Sequence, residues 1–417
     1  MIRMFRAAIA VVVVVLSSVP AFAQAADAAH ALRQYERRVL AGDVAEYTYT
    51  VRVGDGPYDE IGLHRVVRET APGQPARTER AIFLAAGDIW NFRAAFLTGA
   101  QPLPVFLASQ GVDVWGIDYR WTRVPASVGD TSFMQQWGME QDASDLGVAL
   151  SVARFARTQN GNPGKLFLLG WSRGGQIGYT YLAGEANRAP GLSHVEGFIP
   201  VDIYVKTDVP QLEAFACQRR TNTEALLASG QHANPVGGLV SVLGLLAQLD
   251  PNGASILDPN LTNRQAGLLV GQATFALLGG LEPAPAYHFT GGVFDMNGAP
   301  NGLLYSNEAD LFAFEAAAAP YQPNRELADA DALTCGTASI DLAGITVPVL
   351  YIGAGGGFGD FGKYTTTLLG STDVTTLVVS KVPAEQRLFD YGHADLFLAN
   401  DAKQQVWLPL LDWMNAR

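Results

Sequence analysis

Lys165-Leu166-Phe167-Leu168-Leu169-Gly170-Trp171-Ser172-Arg173-Gly174-Gly175 is the stretch on which the fold turns. Its first half is an apolar run of the length and kind that a fully buried strand requires. Its second half is a G-x-S-x-G, and Gln176–Glu185 beyond it can be helical. Alone, that motif is weak, because a chain with 44 glycines among 417 residues produces such matches by chance. The strand before it and the helix after it make it specific. A serine at a sharp strand-to-helix turn needs neighbours without bulk, because its backbone is strained and the helix must approach the sheet closely. Gly174, Gly175 and Gly178 meet that demand, so Ser172 is the expected nucleophile; a serine in an ordinary βα turn is the plainer alternative.

Working outward, apolar runs of the same buried type recur at Ala81–Ala86, Val112–Ile117, Val195–Val201, Val347–Ile352 and Val374–Val379. Between the second of these and Lys165 lies Met139–Arg157, with Leu146, Ala149, Leu150 and Ala153 at helical spacing. Earlier still, Glu46–Val53 and Ile61–Val67 alternate like half-buried strands around the turn residues Asp55-Gly56-Pro57. Continuous apolar strands alternating with helices predict an α/β fold: a mostly parallel sheet with helices on both faces. The alternation stops after Val205. Helical patterns at Gln211–Cys217, Gly237–Leu249, Arg264–Leu281 and Glu308–Ala318 then follow one another, so residues 206–343 read as a largely helical cap inserted between two core strands. The core comprises 24–205 and 344–417.

A serine hydroxyl is a poor nucleophile until a base takes its proton. Of six histidines, His393 alone sits in a loop beside glycine, Gly392-His393-Ala394-Asp395, after the last strand run and before the C-terminal helical pattern. That placement suits a general base. The third member must orient the imidazole and stabilise its cation. Asp360, after the strand Val347–Ile352 and the glycine-rich Gly353–Gly359, is the expected acid, in the chain order Ser172, Asp360, His393. Asp202, at the end of Val195–Val201, is the alternative acid. Asp390 and Asp395 are expected to shape the histidine loop. An oxyanion hole needs two backbone N–H groups aimed at the developing charge. Arg173 is expected to supply one and Asp88, with Ile89 next, the other; the Asp88 side chain is expected to cap the helix that starts near Asn91.

Taken together, these stretches resemble the α/β-hydrolase superfamily with a large cap, in its esterase- and lipase-like form. Ala81–Asp88 matches the third strand and oxyanion loop, and Val114–Arg120 the fourth strand and its turn. Gly170–Gly175 matches the nucleophile elbow, and Gly392–Asp395 the histidine loop. The likeness covers about residues 45–205 and 344–417. It departs at Ala86-Gly87, where many relatives carry His-Gly, and at Gly353–Gly359, which lengthens the acid loop. The resemblance implies a Ser-His-Asp triad working through an acyl-enzyme, with no cofactor and no metal. The chain has only two cysteines and carries neither HExxH nor paired CxxC, so a zinc site is not expected.

The composition bounds what remains. A formal charge of -12 argues against nucleic acid, whose phosphates need a basic footprint. Arg3 and Arg6, the apolar run Ala7–Leu16 and Ala21-Phe22-Ala23 read as a signal peptide over residues 1–23, so export to the periplasm or the medium is expected, with no stable membrane span after cleavage. In that oxidising setting Cys217 and Cys335 are candidates for a disulfide; two free buried thiols are the alternative. The dense apolar runs Leu239–Leu246 and Leu268–Leu278 suggest an ester with a hydrophobic acyl or alcohol group, although they can equally form the cap's own core. Trp90, Trp121, Phe133 and Trp137 could form an aromatic rim to the site. Lactone or peptide hydrolysis, acyl transfer and C–C bond cleavage share the triad, and a secreted binding protein on the same fold is the non-catalytic alternative.

Overall fold

In the computed structural model, residues 32–187, 192–274, 284 and 286–417 are described; the expected signal peptide at 1–23 lies outside them. Among the described residues the core is a ten-stranded sheet. Its long strands are β1 (Leu32–Ala41), β2 (Val44–Arg52), β3 (Glu60–Ala71), β4 (Ala81–Ala85), β5 (Asp113–Asp118), β6 (Leu166–Trp171), β7 (Val195–Val201), β8 (Val349–Ala354) and β9 (Val374–Val379). The spatial order is β1-β2-β3-β5-β4-β6-β7-β8-β9, with the two-residue strand Gln74–Pro75 beside β3. The β1-β2, β2-β3 and β3-β5 pairs are antiparallel, and the pairs from β5 to β9 are parallel. Every strand expected from the apolar runs is present. β1 was not anticipated: it falls in a polar lead-in, and only its antiparallel pairing with β2 makes it a strand.

The parallel strands from β4 to β8 are largely apolar on both faces because both faces are covered; β9, expected to be of the same buried type, is instead an edge strand exposed over Val374, Thr375 and Thr376. Along β4, Ile82 and Leu84 pack into one core while Ala81, Phe83 and Ala85 pack into the other. Phe167 and Leu169 of β6 join the first core, and Leu166 and Leu168 the second. The second is roofed by α1 (Met139–Gln159) and α2 (Arg173–Glu185), the first by Leu103–Ser109 and the C-terminal helix Leu408–Asn415.

Between β7 and β8 the chain builds α3 (Pro210–Ala228), α4 (Val236–Leu249), α5 (Asn263–Gln272), α6 (Glu308–Ala316) and α7 (Asn324–Thr334). A short hairpin pairs Gly292–Phe294 with Pro300–Leu303. A capping box at Thr262 starts α5, the threonine side chain accepting from the Gln265 N–H while the Gln265 side chain accepts from the Thr262 N–H. Cys217 on α3 and Cys335 at the end of α7 form a disulfide, with Cα atoms 4.8 Å apart. Leu243 and Leu268 are buried in the packing of this region, whereas Leu239, Val242, Leu245 and Leu249 are exposed. Phe275, Leu277 and Leu278 lie outside the described residues. No helix among the described residues is long and apolar enough to cross a membrane.

Candidate active site

β6 delivers its C-terminal end to a turn at which Ser172 adopts φ 55° and ψ −127°. A non-glycine residue rarely takes that left-handed φ, and the cost is borne because the flanking structure leaves no other path. The Ser172 N–H donates to the Val201 carbonyl at 2.9 Å, and the Ser172 carbonyl accepts from the Gly175 N–H at 2.8 Å. A Cβ on Gly175 would lie 2.6 Å from Ile203 Cγ2, so the absence of bulk on this side of the turn is sterically required. On the facing loop, a Cβ on Gly87 would lie 2.6 Å from Ser172 Cβ. The Gly87 loop and the serine are therefore in direct apposition.

His393 is buried and its Nδ1 lies 2.6 Å from Asp202 Oδ2. With Nδ1 carrying the proton toward the carboxylate, Nε2 keeps the lone pair that a general base uses. The rest of the Asp202 carboxylate is filled by backbone donors: Ala354 N at 2.9 Å and Gly359 N at 2.7 Å on Oδ1, and Phe358 N at 3.0 Å on Oδ2. Those donors come from β8 and the glycine-rich loop after it. Gly357 is packed so tightly on Asp202 that a side chain there would overlap the carboxylate. The loop thus receives an acid from the neighbouring strand end instead of supplying one. Asp360, expected as the acid, is 77% exposed and pairs with Lys363 at 2.5 Å. The structure places Asp202, the alternative, beside His393. Asp202 itself has φ 49°, a second strained residue at a strand end.

The histidine loop is fastened from below. Asp395 is buried, and its carboxylate accepts from the Gly291 N–H at 2.7 Å, the Gly392 N–H at 2.8 Å and the Ser306 hydroxyl at 2.5 Å. Burial pushes its pKa up to about 7, against the opposing pull of those donors. Asp390 accepts from the Lys381 and Tyr391 N–H groups and from the Ser380 hydroxyl. Both acids therefore hold the loop rather than face the histidine. Backbone bonds from His393 N to His288 O at 2.9 Å and from Ala394 N to Phe289 O at 2.7 Å tie the loop to the inserted segment. His288 donates none of its chemistry to the site, since its ring is held between the Ala286 and Asp390 carbonyls.

Aromatic rings enclose the imidazole. Its centroid lies 5.0 Å from Trp171, 5.3 Å from Tyr287, 5.8 Å from Phe289 and 6.1 Å from Phe358. Of the four aromatics expected at a rim, Trp90 alone joins this group, edge-on to Phe289 at 6.2 Å and stacked on Phe314 at 3.7 Å. Trp121 is fully buried against Tyr119, and Phe133 packs on Trp137 and Tyr58, so these are core contacts. Tyr287 and Phe289 gave no signal in the sequence, because an aromatic in an insertion of unknown path cannot be assigned to a site.

Asp88 does not cap the helix at Phe92–Phe96; Asn91 does, its side chain accepting from the Ala94 N–H at 2.8 Å. Asp88 Oδ1 instead accepts from Arg173 Nε at 2.9 Å and from the Gln322 amide. Ile89 follows with φ 55°, its carbonyl accepting from the Ala319 N–H at 2.7 Å. Among the described residues no group of three or more His, Cys, Asp or Glu is arranged to hold a metal ion.

A mixed sheet of this strand order, with a serine at a strained turn after β6 and a histidine loop beyond the last strand, has the α/β-hydrolase fold. Among solved structures, a lipase candidate from Sulfolobus solfataricus is similar over 92% of this chain and 99% of its own, with a TM-score of 0.63 at 19% identity. A monoglyceride lipase from Saccharomyces cerevisiae, in a soluble variant, covers 92% of this chain and 96% of its own at 12% identity, with a TM-score of 0.44. A thermostable carboxyl esterase from Bacillus coagulans covers 92% and 99% at 13% identity, with a TM-score of 0.43. No family model and no curated protein sequence matches the chain.

Proposed function

We propose that this chain is an exported serine hydrolase that cleaves a small-molecule ester with a hydrophobic acyl or alcohol group, using Ser172, His393 and Asp202. The observation that carries this reading is the 2.6 Å contact of His393 Nδ1 with the enclosed Asp202 carboxylate, on the same strand-end surface as the strained Ser172. His393 Nε2 takes the hydroxyl proton as Ser172 Oγ attacks the ester carbonyl. The oxyanion that forms is met by the N–H groups of Arg173 and Asp88. Collapse of the tetrahedral adduct expels the alcohol, which receives the proton from the imidazolium; water then repeats the sequence on the acyl-enzyme and releases the acid. No cofactor enters these steps.

The aromatic surround of His393 supports an apolar substrate group, since these rings can accept a hydrocarbon chain but offer little to a charged one. Residues 206–343 act as the cap, supplying Tyr287 and Phe289 to that surround. The Cys217–Cys335 disulfide supports passage to an oxidising compartment, as the leader-like residues 1–23 do.

The test is labelling of purified protein by a fluorophosphonate probe, for wild type and Ser172→Ala side by side, followed by a p-nitrophenyl ester chain-length series. Labelling of wild type alone, with turnover rising toward longer acyl chains, is expected. A folded wild type that is neither labelled nor active on any ester would overturn the reading in favour of a binding protein.

A further inference from the structure

The two residues whose backbones flank the nucleophile, Asp88 on the oxyanion loop and Arg173 at the start of α2, are joined through their side chains. Arg173 Nε donates to Asp88 Oδ1 at 2.9 Å, its Nη1 donates to the Gln176 side chain, and Gln176 in turn donates to the Tyr204 carbonyl at 2.7 Å. The inserted segment completes the assembly. Gln322 donates to Asp88 Oδ1 and also to Glu326 Oε2 at 3.2 Å, while Glu326 Oε1 lies 3.7 Å from Arg173 Nε. Arg173, Gln176, Gln322 and Glu326 are all buried. An arginine held out of water needs a compensating charge and filled donors; here Asp88 on the loop opposite supplies the charge, while the inserted segment places Gln322 and Glu326 beside the pair.

We infer that the Asp88–Arg173 pair, braced by Gln322 and Glu326, is a positioning device that fixes the separation of the two oxyanion-hole N–H groups, and that Glu326 makes the brace sensitive to alkaline pH. This rests on the hydrolase reading above. A displacement of the donors by a fraction of an ångström weakens stabilisation of the transition state far more than it weakens ester binding, because the full negative charge exists only in the former.

Glu326 supplies the pH sensitivity through its surroundings. Arg173 from α2 favours its ionised form. Asp88 from the oxyanion loop and Asp329 from α7 itself oppose it; Asp142 from α1 faces Glu326 but is itself pushed well up by burial, and the Tyr119 hydroxyl faces the same acids. Asp145 beside Asp142 is held by Arg120, and Asp331 by Arg219 of α3. Burial dominates and raises the Glu326 pKa to about 8. Glu326 is therefore neutral at pH 7, where the pair is intact. Above pH 8 its carboxylate repels Asp88 and competes with it for Arg173, loosening the brace.

The experiment is kcat and KM for a p-nitrophenyl ester across pH 6–10 in the full-length wild type, Asp88→Asn and Glu326→Gln, with thermal melts as a check on folding. In wild type kcat is expected to fall through an alkaline limb near pH 8, and in E326Q that limb moves up by a unit or more. D88N is expected to lower kcat about tenfold to a hundredfold with KM within about twofold, the scale set by misplacing catalytic groups. An unmoved limb in E326Q, or a D88N effect confined to KM, overturns the inference while leaving the hydrolase intact. A wild type that neither reacts with fluorophosphonate nor turns over ester overturns the hydrolase reading and this one with it.

Discussion

His393 and Asp202 stand 191 residues apart in sequence, yet Nδ1 of one lies 2.6 Å from Oδ2 of the other, with neither side chain reaching solvent. Charge-assisted hydrogen bonds in a dry site are stronger than their counterparts in water, and three backbone donors already hold the carboxylate in place.

Replacing Asp202 with Asn should therefore lower kcat by about four orders of magnitude, since the amide favours the wrong imidazole tautomer while preserving shape. Asp360→Asn should leave kcat within about twofold, because that side chain faces solvent beside Lys363. Steady-state ester hydrolysis of the two variants distinguishes the acids.

Gly87→Ala should abolish reaction with fluorophosphonate without unfolding the protein. The new methyl would sit 2.6 Å from Ser172 Cβ, and either the serine or the oxyanion loop must yield. A loss of about a hundredfold or more in fluorophosphonate labelling rate is expected, with a cooperative melt retained.

Asp395 should make the fold more stable at acid than at neutral pH in its own contribution. Its pKa is raised by burial to about 7 from an ordinary 3.8. Between those values the folded state holds a proton that the unfolded state has lost, so stability falls as pH rises through that window and levels off above it. The loss is at most about 4 kcal/mol at 1.36 kcal/mol per pKa unit. Asp395→Asn, a neutral mimic that can still accept from Gly392 and donate to Ser306, should melt near wild type at pH 4 and above it at pH 8.

Removing the Cys217–Cys335 bridge, which spans 118 residues, should cost roughly 2–4 kcal/mol. A Cys217→Ser/Cys335→Ser double variant should melt several degrees lower than wild type, and the difference should vanish when both are measured in reductant.

Much of this protein was legible in its sequence because the signals were local. Alternation marked β2 and β3, and apolar runs marked the strands from β4 onward, to within a few residues; β4 to β8, covered on both faces, must be largely apolar. Ser172 stood out by its glycine neighbours, and His393 by its loop. The acid did not. Both Asp202 and Asp360 follow strands, and the glycine-rich loop after β8 pointed to Asp360, when Gly357 of that loop instead clears space for the carboxylate of Asp202. The side-chain partnership of Asp88 with Arg173 was equally hidden, since an aspartate shortly before a helix is as good a cap as an ion-pair partner.

The sequence by itself determined the layered α/β architecture and the position of the strained serine, because strand burial, helical period and the steric needs of a tight turn are all written in neighbouring residues. Only the tertiary structure decided which aspartate meets His393, which aromatic rings surround it and how Gln322 and Glu326 of the inserted segment reach Asp88 and Arg173. Those contacts join residues from separate elements, and the directions in which their side chains point depend on the order and twist of the sheet, which no local pattern encodes.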